Sequence, residues 1–388
     1  MNIADKTQCK VPFGTMTVTP DVFPKIADVL SKRMLTNGKY VAEFESKFAE
    51  KMGAKYAIAV SSGTDADTLA LASLYELGAK RGDEVIIPAL TFVATANAVV
   101  NAGFVPVFVD VDEYTLNIDV YKIEDAITSK TRAIMPVHLM GKPAQMEGIL
   151  DIARRHRLNV IEDAAEAHGA MYKGKMVGTV APISAFSLYA AHIISSIEGG
   201  MILTSSKLLN DVIRSLRNHG LQLQGSNWTF ERIGYSSKMN ELEAIVGLGN
   251  LEKMDEIVYK RQANFKYLKK RLDKHQEFFY TINEGIDERL SPHAFPIILR
   301  ENCSIPKYQF TDYLTYKGID HRNLFYSLPT QSKCYRYLGY QYGSFPMAEK
   351  LSELGTHIGI HQDLSLEQLD YVADSIDQFI KDVINKNV

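Results

Sequence analysis

From Tyr56 to Thr204, short apolar and β-branched runs alternate with stretches of helical period, and this alternation limits the fold more than any other feature of the chain. The runs Tyr56–Val60, Glu84–Pro88, Pro106–Val111, Ala133–Leu139, Asn159–Asp163, Ser184–Leu188 and Met201–Thr204 are expected strands. Helical spacing marks Asp65–Leu77, Ala94–Ala102, Val120–Ile127 and Met146–His156 between them. Such an order calls for an open α/β sheet with helices on both faces. Ligands of these sheets sit outside the carboxyl ends of the strands. The residues that close each run are therefore the first place to look for a site.

A helical segment from about Lys238 to Lys274 follows, with Leu242, Ile245, Leu248, Leu251 and Met254 along its apolar face. His293–Leu299, Tyr308–Lys317, His357–Ile360 and Leu366–Ile384 then read as a compact α+β unit. A chain of 388 residues suits two domains, expected here as a large one over 1–250 and a smaller one over 251–388. A net charge of -3 gives no electrostatic case for nucleic acid or an anionic membrane surface. No apolar run approaches the roughly 18 residues of a membrane helix, and Met1-Asn2-Ile3-Ala4-Asp5-Lys6 lacks the layout of a signal peptide. A cytoplasmic protein is expected. Cys9, Cys303 and Cys334 form no C-x-x-C pair, which argues against disulfides and zinc. His357 and His361 have no clear third ligand nearby and read as packing or surface residues, so no metal site is expected.

Four segments could carry chemistry. Ser61-Ser62-Gly63-Thr64-Asp65 follows a strand and opens a helix. Its glycine allows close approach of a ligand, and the helix start offers unpaired amides to a phosphate. On spacing alone, a simple helix cap is the commoner use of such a turn. Val160-Ile161-Glu162-Asp163-Ala164-Ala165-Glu166-Ala167-His168-Gly169 carries an apolar strand into acids that either cap the next helix or face a crevice. Pro88-Ala89-Leu90-Thr91-Phe92-Val93-Ala94-Thr95 offers an aromatic ring, Phe92, which by itself reads as core. Phe186-Ser187-Leu188-Tyr189-Ala190-Ala191-His192-Ile193-Ile194-Ser195-Ser196-Ile197-Glu198-Gly199-Gly200 contains His192, a side chain that moves protons near neutral pH.

Taken in order, these segments resemble the DegT/DnrJ/EryC1/StrS family of sugar aminotransferases, which use pyridoxal 5'-phosphate (PLP). The resemblance runs from about Gly38 to Leu364-Ser365-Leu366-Glu367-Gln368. It implies the α/β architecture of PLP fold type I (aspartate aminotransferase-like): a mixed, mostly parallel sheet flanked by helices, plus a smaller C-terminal α+β domain. It assigns Gly63, Thr64, Asp65 and Ser187 to the cofactor phosphate and Phe92 to stacking on the ring. Asp163 falls to the pyridine nitrogen, where a carboxylate keeps the ring protonated, and Glu166 to the neighbourhood of the ring hydroxyl. Gly234-Tyr235-Ser236-Ser237-Lys238-Met239-Asn240-Glu241-Leu242 resembles G-Y-N-x-R-M-x-E-L, whose asparagine reaches the partner subunit's phosphate across a homodimer. Here Ser236 takes that place with a shorter reach, and Lys238 replaces the arginine. His138-Leu139-Met140-Gly141-Lys142-Pro143 and Arg217-Asn218-His219-Gly220 match family stretches of structural or substrate-loop character.

One departure matters most. Where the family segment F-S-x-x-x-x-K-x-x-x-x-x-E-G-G has its lysine, this chain has His192. A lysine amine bonds covalently to the cofactor aldehyde, and imidazole cannot. The departure is similar to the family's smaller branch of keto-deoxysugar 3-dehydratases. It implies pyridoxamine 5'-phosphate (PMP) as the working form, His192 as base and then acid, and a nucleotide-linked 4-keto-6-deoxyhexose as substrate. L-Glutamate would restore the amine form. Some members of that branch carry an iron–sulfur cluster on four cysteines; three cysteines cannot supply that set. Gly359-Ile360-His361-Gln362 is similar to the metal-free kind. Two other readings stand beside this one: a nucleotide-sugar 4-aminotransferase with a Lys-to-His change, and a catalytically silent PLP-binding regulator.

Overall fold

The computed structural model describes residues 9–33, 35–36, 38–224, 227–303, 305–325 and 328–386. Helices α1 (Val22–Lys32) and α2 (Lys39–Met52) precede the main sheet. Its strands are β1 (Tyr56–Val60), β2 (Glu84–Pro88), β3 (Val105–Val109), β4 (Thr131–Ile134) and β5 (Asn159–Asp163), then β8 (Ile183–Ser187) and β9 (Gly200–Thr204) after a short hairpin of β6 (Met171–Tyr172) and β7 (Lys175–Met176). Helices α3 (Gly63–Ala72), α4 (Val93–Asn101), α5 (Val120–Ile123), α6 (Met146–His156) and α7 (Lys207–Arg217) connect and cover them. The seven strands run in the order β1-β9-β8-β5-β4-β2-β3. Only the two pairings made by β9 are antiparallel.

Both faces of the sheet are covered, so its strands are near-continuous apolar runs rather than alternating ones. Ile58, Ile86, Ile87, Ile134 and Ile161 are all fully buried. Each such side chain stabilises the fold by roughly 1.5–3 kcal/mol relative to exposure.

The remaining elements are the hairpin β10 (Leu221–Gln224) and β11 (Asn227–Phe230), helices α8 (Glu241–Glu252) and α9 (Met254–Leu272), and a C-terminal unit. That unit contains β12 (Phe279–Tyr280), β13 (Glu288–Arg289), β14 (Phe295–Leu299), α10 (Lys307–Tyr316), β15 (His321–Asn323), α11 (Pro346–Leu354), β16 (Gly355–Ile358) and α12 (Leu366–Lys386). Its sheet has the order β12-β14-β16-β15 and is antiparallel throughout.

Three differences from expectation have local causes. The fourth strand stops at Ile134, because Pro136 has no N–H for the ladder. The first connecting helix stops at Ala72 and tightens into a 3-10 turn over Ser73–Leu77, closed by Gly78 in the left-handed region. The long segment from Lys238 is two helices. Asn240 and Glu243 form a reciprocal capping box that starts α8, and Lys253 breaks the helical path before α9.

The N-terminal segment crosses the expected division at residue 250. Val11 bridges Ile319, and its carbonyl accepts the Asp320 amide. Phe13 packs edge-on against His293 and His357. These residues lie on the C-terminal unit, beside the carboxyl ends of the main sheet.

Candidate active site

The turn after β1 is built by its own side chains. Ser62 caps α3, its hydroxyl accepting the Asp65 amide at 3.0 Å. The Asp65 carboxylate accepts from the Ser61 hydroxyl at 2.5 Å and the Ser62 hydroxyl at 3.1 Å. Both polar groups of Asp65 are thus used inside the turn, and its charge opposes an anion there. Among the described residues, the Gly63 and Thr64 amides have no acceptor. Ser187 ends β8 directly against Gly63: a Cβ on Gly63 would lie 2.6 Å from the Ser187 Cβ and 2.9 Å from its hydroxyl. Two amides, a hydroxyl and the positive end of a helix fit a phosphate. Gly63, Thr64 and Ser187 would hold it, and Asp65 holds the turn.

The Ser236 segment runs alongside. The Ser61 amide donates to the Ser237 carbonyl, and Val60 bridges Lys238. The Lys238 ammonium donates to the exposed Ser236 hydroxyl and to Asn218, both at 3.3 Å.

Asp163 closes β5 and is 4% exposed. Its carboxylate accepts from the Thr95 hydroxyl at 2.8 Å and from the Ala165 amide at 3.2 Å. Burial raises its pKa against those two hydrogen bonds. Behind it lies a second acid, Asp67 of α3, whose Oδ1 has no partner among the described residues. Burial and the charge of Asp163 push the Asp67 carboxyl well above the ordinary carboxylate range. This pair of buried acids without a cation fits a protonated pyridine nitrogen at Asp163. Phe92, the residue before α4, presents a 61% exposed ring 6.4 Å from that of Phe325.

His192 is tied to the loop that follows Asp163. Its Nδ1 sits 2.6 Å from the Ala165 carbonyl, so Nδ1 carries the proton and donates it. Burial lowers the imidazole to about 4, aided by the charges of Arg261 and Arg322 and opposed by the Ala165 carbonyl. At neutral pH the ring is uncharged and Nε2 has a free lone pair. Its ring faces that of His293 at 5.1 Å.

Glu166 completes the group. Its carboxylate accepts the Met140 amide at 2.7 Å, and His293 Nε2 stands 3.9 Å away. Burial raises it to about 7 from an ordinary 4.5. A folded state that keeps a proton to higher pH than the unfolded chain loses stability as pH rises between those two values. In the cofactor-free protein, Glu166→Gln is therefore expected to be more stable than wild type at pH 8, by up to about 3 kcal/mol. The gap should shrink toward pH 5, as urea unfolding at several pH values will read. A gap that does not change with pH would remove this carboxyl as the cause.

The family profile described as DegT/DnrJ/EryC1/StrS aminotransferase matches residues 18–377. The chain belongs to that family. It is 36% identical over 347 residues to GDP-perosamine synthase of Escherichia coli O157:H7, covering 89% of this chain and 92% of that protein. It is 28% identical over 384 residues to GDP-4-keto-6-deoxy-D-mannose 3-dehydratase of Escherichia coli O55:H7, covering 94% and 98%. The solved structure of an E. coli GDP-4-keto-6-deoxy-D-mannose-3-dehydratase with bound hydrated PLP has a TM-score of 0.89 at 27% identity, covering 95% of this chain and 99% of that one. As a DegT/DnrJ/EryC1/StrS member, the chain is a PLP/PMP enzyme of fold type I, of the transaminase or lyase kind. Among the described residues, no helix is long and apolar enough to cross a membrane, and no group of three acids, histidines or cysteines could hold a metal ion.

Two family stretches are structural. His138 accepts the Ala144 amide on Nδ1 and donates from Nε2 to buried Glu162 at 3.1 Å. Glu162 also accepts the amides of Gly178, Val180 and Ala181. In the C-terminal stretch, Gln362 accepts from buried Arg261, which donates to the His293 carbonyl at 2.9 Å. Site residues missed by the sequence reading are Thr95, Asp67, His293, Arg261 and Arg322. Asp67 alone carried a signal: an acid within an otherwise apolar run of α3.

Proposed function

We propose that this member of the family is a cytoplasmic 3-dehydratase acting on a nucleotide-linked 4-keto-6-deoxyhexose, working as a homodimer with L-glutamate as amino donor. The observation that carries this reading is an imidazole, His192, at the place of the family lysine, held neutral with Nε2 free. When bound, the amine form of the cofactor condenses with the ketone and draws electrons from the neighbouring carbons. The protein does the rest with few groups. Gly63, Thr64 and Ser187 hold the phosphate end, and Asp163 holds the ring nitrogen. Phe92 covers one ring face. His192 Nε2 accepts a proton and, as imidazolium, returns it to the departing C3 hydroxyl, which leaves as water. Burial lowers its pKa, which makes the imidazolium a stronger acid for that return. Glu166 stands protonated or charged near neutral pH, a donor or acceptor for a ring hydroxyl.

The 36% identity to GDP-perosamine synthase favours a second reading, a 4-aminotransferase. The two differ in product. A GDP-linked 4-keto-6-deoxyhexose is the first probe, incubated with protein, PLP and glutamate and analysed by mass spectrometry. The dehydratase releases a 3-deoxy sugar and one ammonia per turnover; predominant amino sugar would establish the aminotransferase instead. If neither forms and glutamate leaves the cofactor spectrum unmoved, a silent cofactor-binding protein remains.

A further inference from the structure

We propose that a cavity at the joint between the main sheet and the C-terminal unit is a second ligand site, one that binds a nucleotide outside the reacting centre. The cavity measures about 360 Å³ and lies where the loop after β3 meets the end of α9, β12 and β14. That volume falls within the range of small-molecule pockets. Its walls are aromatic, with Phe279 beside Tyr114 and Tyr280. The two tyrosine rings stand 6.0 Å apart, and Tyr114 is exposed. Two cations, Lys269 and Arg300, share the lining. Arg300 lies over the Tyr280 ring at 5.2 Å and donates from Nε to the Gln276 carbonyl at 2.6 Å. Lys269 donates to the side-chain oxygen of Asn283. The Thr281 hydroxyl, also in the lining, has no hydrogen-bond partner among the described residues.

These partners fix the two cations without cancelling their charge. A carbonyl and an amide oxygen are neutral, and among the described residues neither cation forms an ion pair. Asp273, the acid in the lining, accepts from the Gln276 amide instead. A held guanidinium beside an ammonium is a donor set for phosphate. The exposed Tyr114 ring next to them offers a stacking face that every base can use. A nucleotide carries both features, a flat ring and an anion, on one short molecule. The unpaired Thr281 hydroxyl costs free energy that a polar ligand group recovers. The place is separate from the reacting centre. His293, which faces His192 at 5.1 Å, precedes β14, and Arg300 follows it. The strand between them spans roughly 17 Å. The unit's other stacked guanidinium, Arg322 over Phe13 at 4.2 Å, charges the field at His192 and belongs to the site already described. Glu113, next to Tyr114, accepts from the Tyr280 hydroxyl at 3.1 Å and from Lys350 at 3.2 Å. A nucleotide stacked on Tyr114 and paired with Lys269 and Arg300 thus ties the main sheet to the unit that carries His293. The site stands whichever sugar reaction the enzyme performs.

The test uses PMP-loaded protein with GDP, ADP and UDP as probes. Tyr114→Trp keeps an aromatic wall and places an indole in the cavity. Its fluorescence should be quenched saturably by at least one of the three, beyond any change in the wild type, whose one tryptophan is Trp228. In that background Lys269→Met or Arg300→Met should raise the apparent Kd by about tenfold or more, the loss of one charge-assisted contact. Tyr114→Ala, read by calorimetry against wild type, should weaken binding by about 5–100-fold. Inorganic phosphate and the free nucleoside should each bind at least about tenfold more weakly than the nucleotide, since each offers half of the contacts. The KM for the GDP-linked keto sugar should stay within about twofold of wild type in Lys269→Met. No quench by any of the three, or an unchanged Kd in the charge variants, overturns the proposal. A KM that rises in step with the Kd also overturns it, because the cavity would then belong to the substrate's own site. Thermal melts check folding, and Lys269→Met carries the test should Arg300→Met not fold.

Discussion

Asparagine in place of His192 is expected to slow dehydration by about 10²–10⁴-fold, the usual worth of a positioned acid–base group. Its amide can still donate to the Ala165 carbonyl, so packing and cofactor binding should persist. What it lacks is the Nε2 lone pair and the second proton of an imidazolium. Because burial holds the wild-type imidazole down to about 4, the base is unprotonated throughout the neutral range. The acid limb of kcat/KM should therefore lie well below the ordinary histidine range, and the variant should lose that limb with the rate. Lysine at the same place gives the complementary result: a primary amine facing the cofactor aldehyde should bond to it and produce a new visible absorption band. Undiminished turnover in His192→Asn, or no band in His192→Lys, would remove His192 from the reacting centre.

Asp163→Asn should weaken cofactor binding and turnover together, by about 10²–10³-fold, because it breaks a buried ion pair from one side. The change is nearly isosteric. Thr95 can still donate to the amide oxygen as it does to Oδ2 at 2.8 Å. The lost quantity is charge. Without it the pyridine nitrogen loses the carboxylate that keeps its proton, and burial disfavours the charged form of Asp67 behind it. Spectral titration with PLP and with PMP measures the affinity, and product formation measures the rate. Affinity within about threefold of wild type would mean that Asp163 does not face the ring nitrogen.

Much of the fold was legible because its signals are local. Apolar runs bounded by turn residues located all seven main strands to within about five residues, since the strands are covered on both faces and read as continuous apolar runs. The phosphate turn was legible because strand, turn and helix start lie within about ten residues of each other, and the β5 acids because they close an apolar run, although turns and the β6 strand follow them rather than a helix. Asp65 shows the limit of this reading. The family resemblance put it among the phosphate contacts, whereas its carboxylate and amide both serve Ser61 and Ser62 inside the turn.

What the sequence determined alone is the chemistry available: a parallel-sheet scaffold, a phosphate-ready turn, a strand-end carboxylate, and an imidazole in place of an amine. Tertiary structure alone decided the company those groups keep. It set Asp67 of α3 behind Asp163 of β5, His293 against His192, and Arg322 over Phe13, from segments 96, 101 and 309 residues apart. Local periodicity carries no record of such pairs. They arise when separate apolar faces close into one core, and that closure also strips water from His192, Glu166 and Asp163 and so sets how readily each holds a proton.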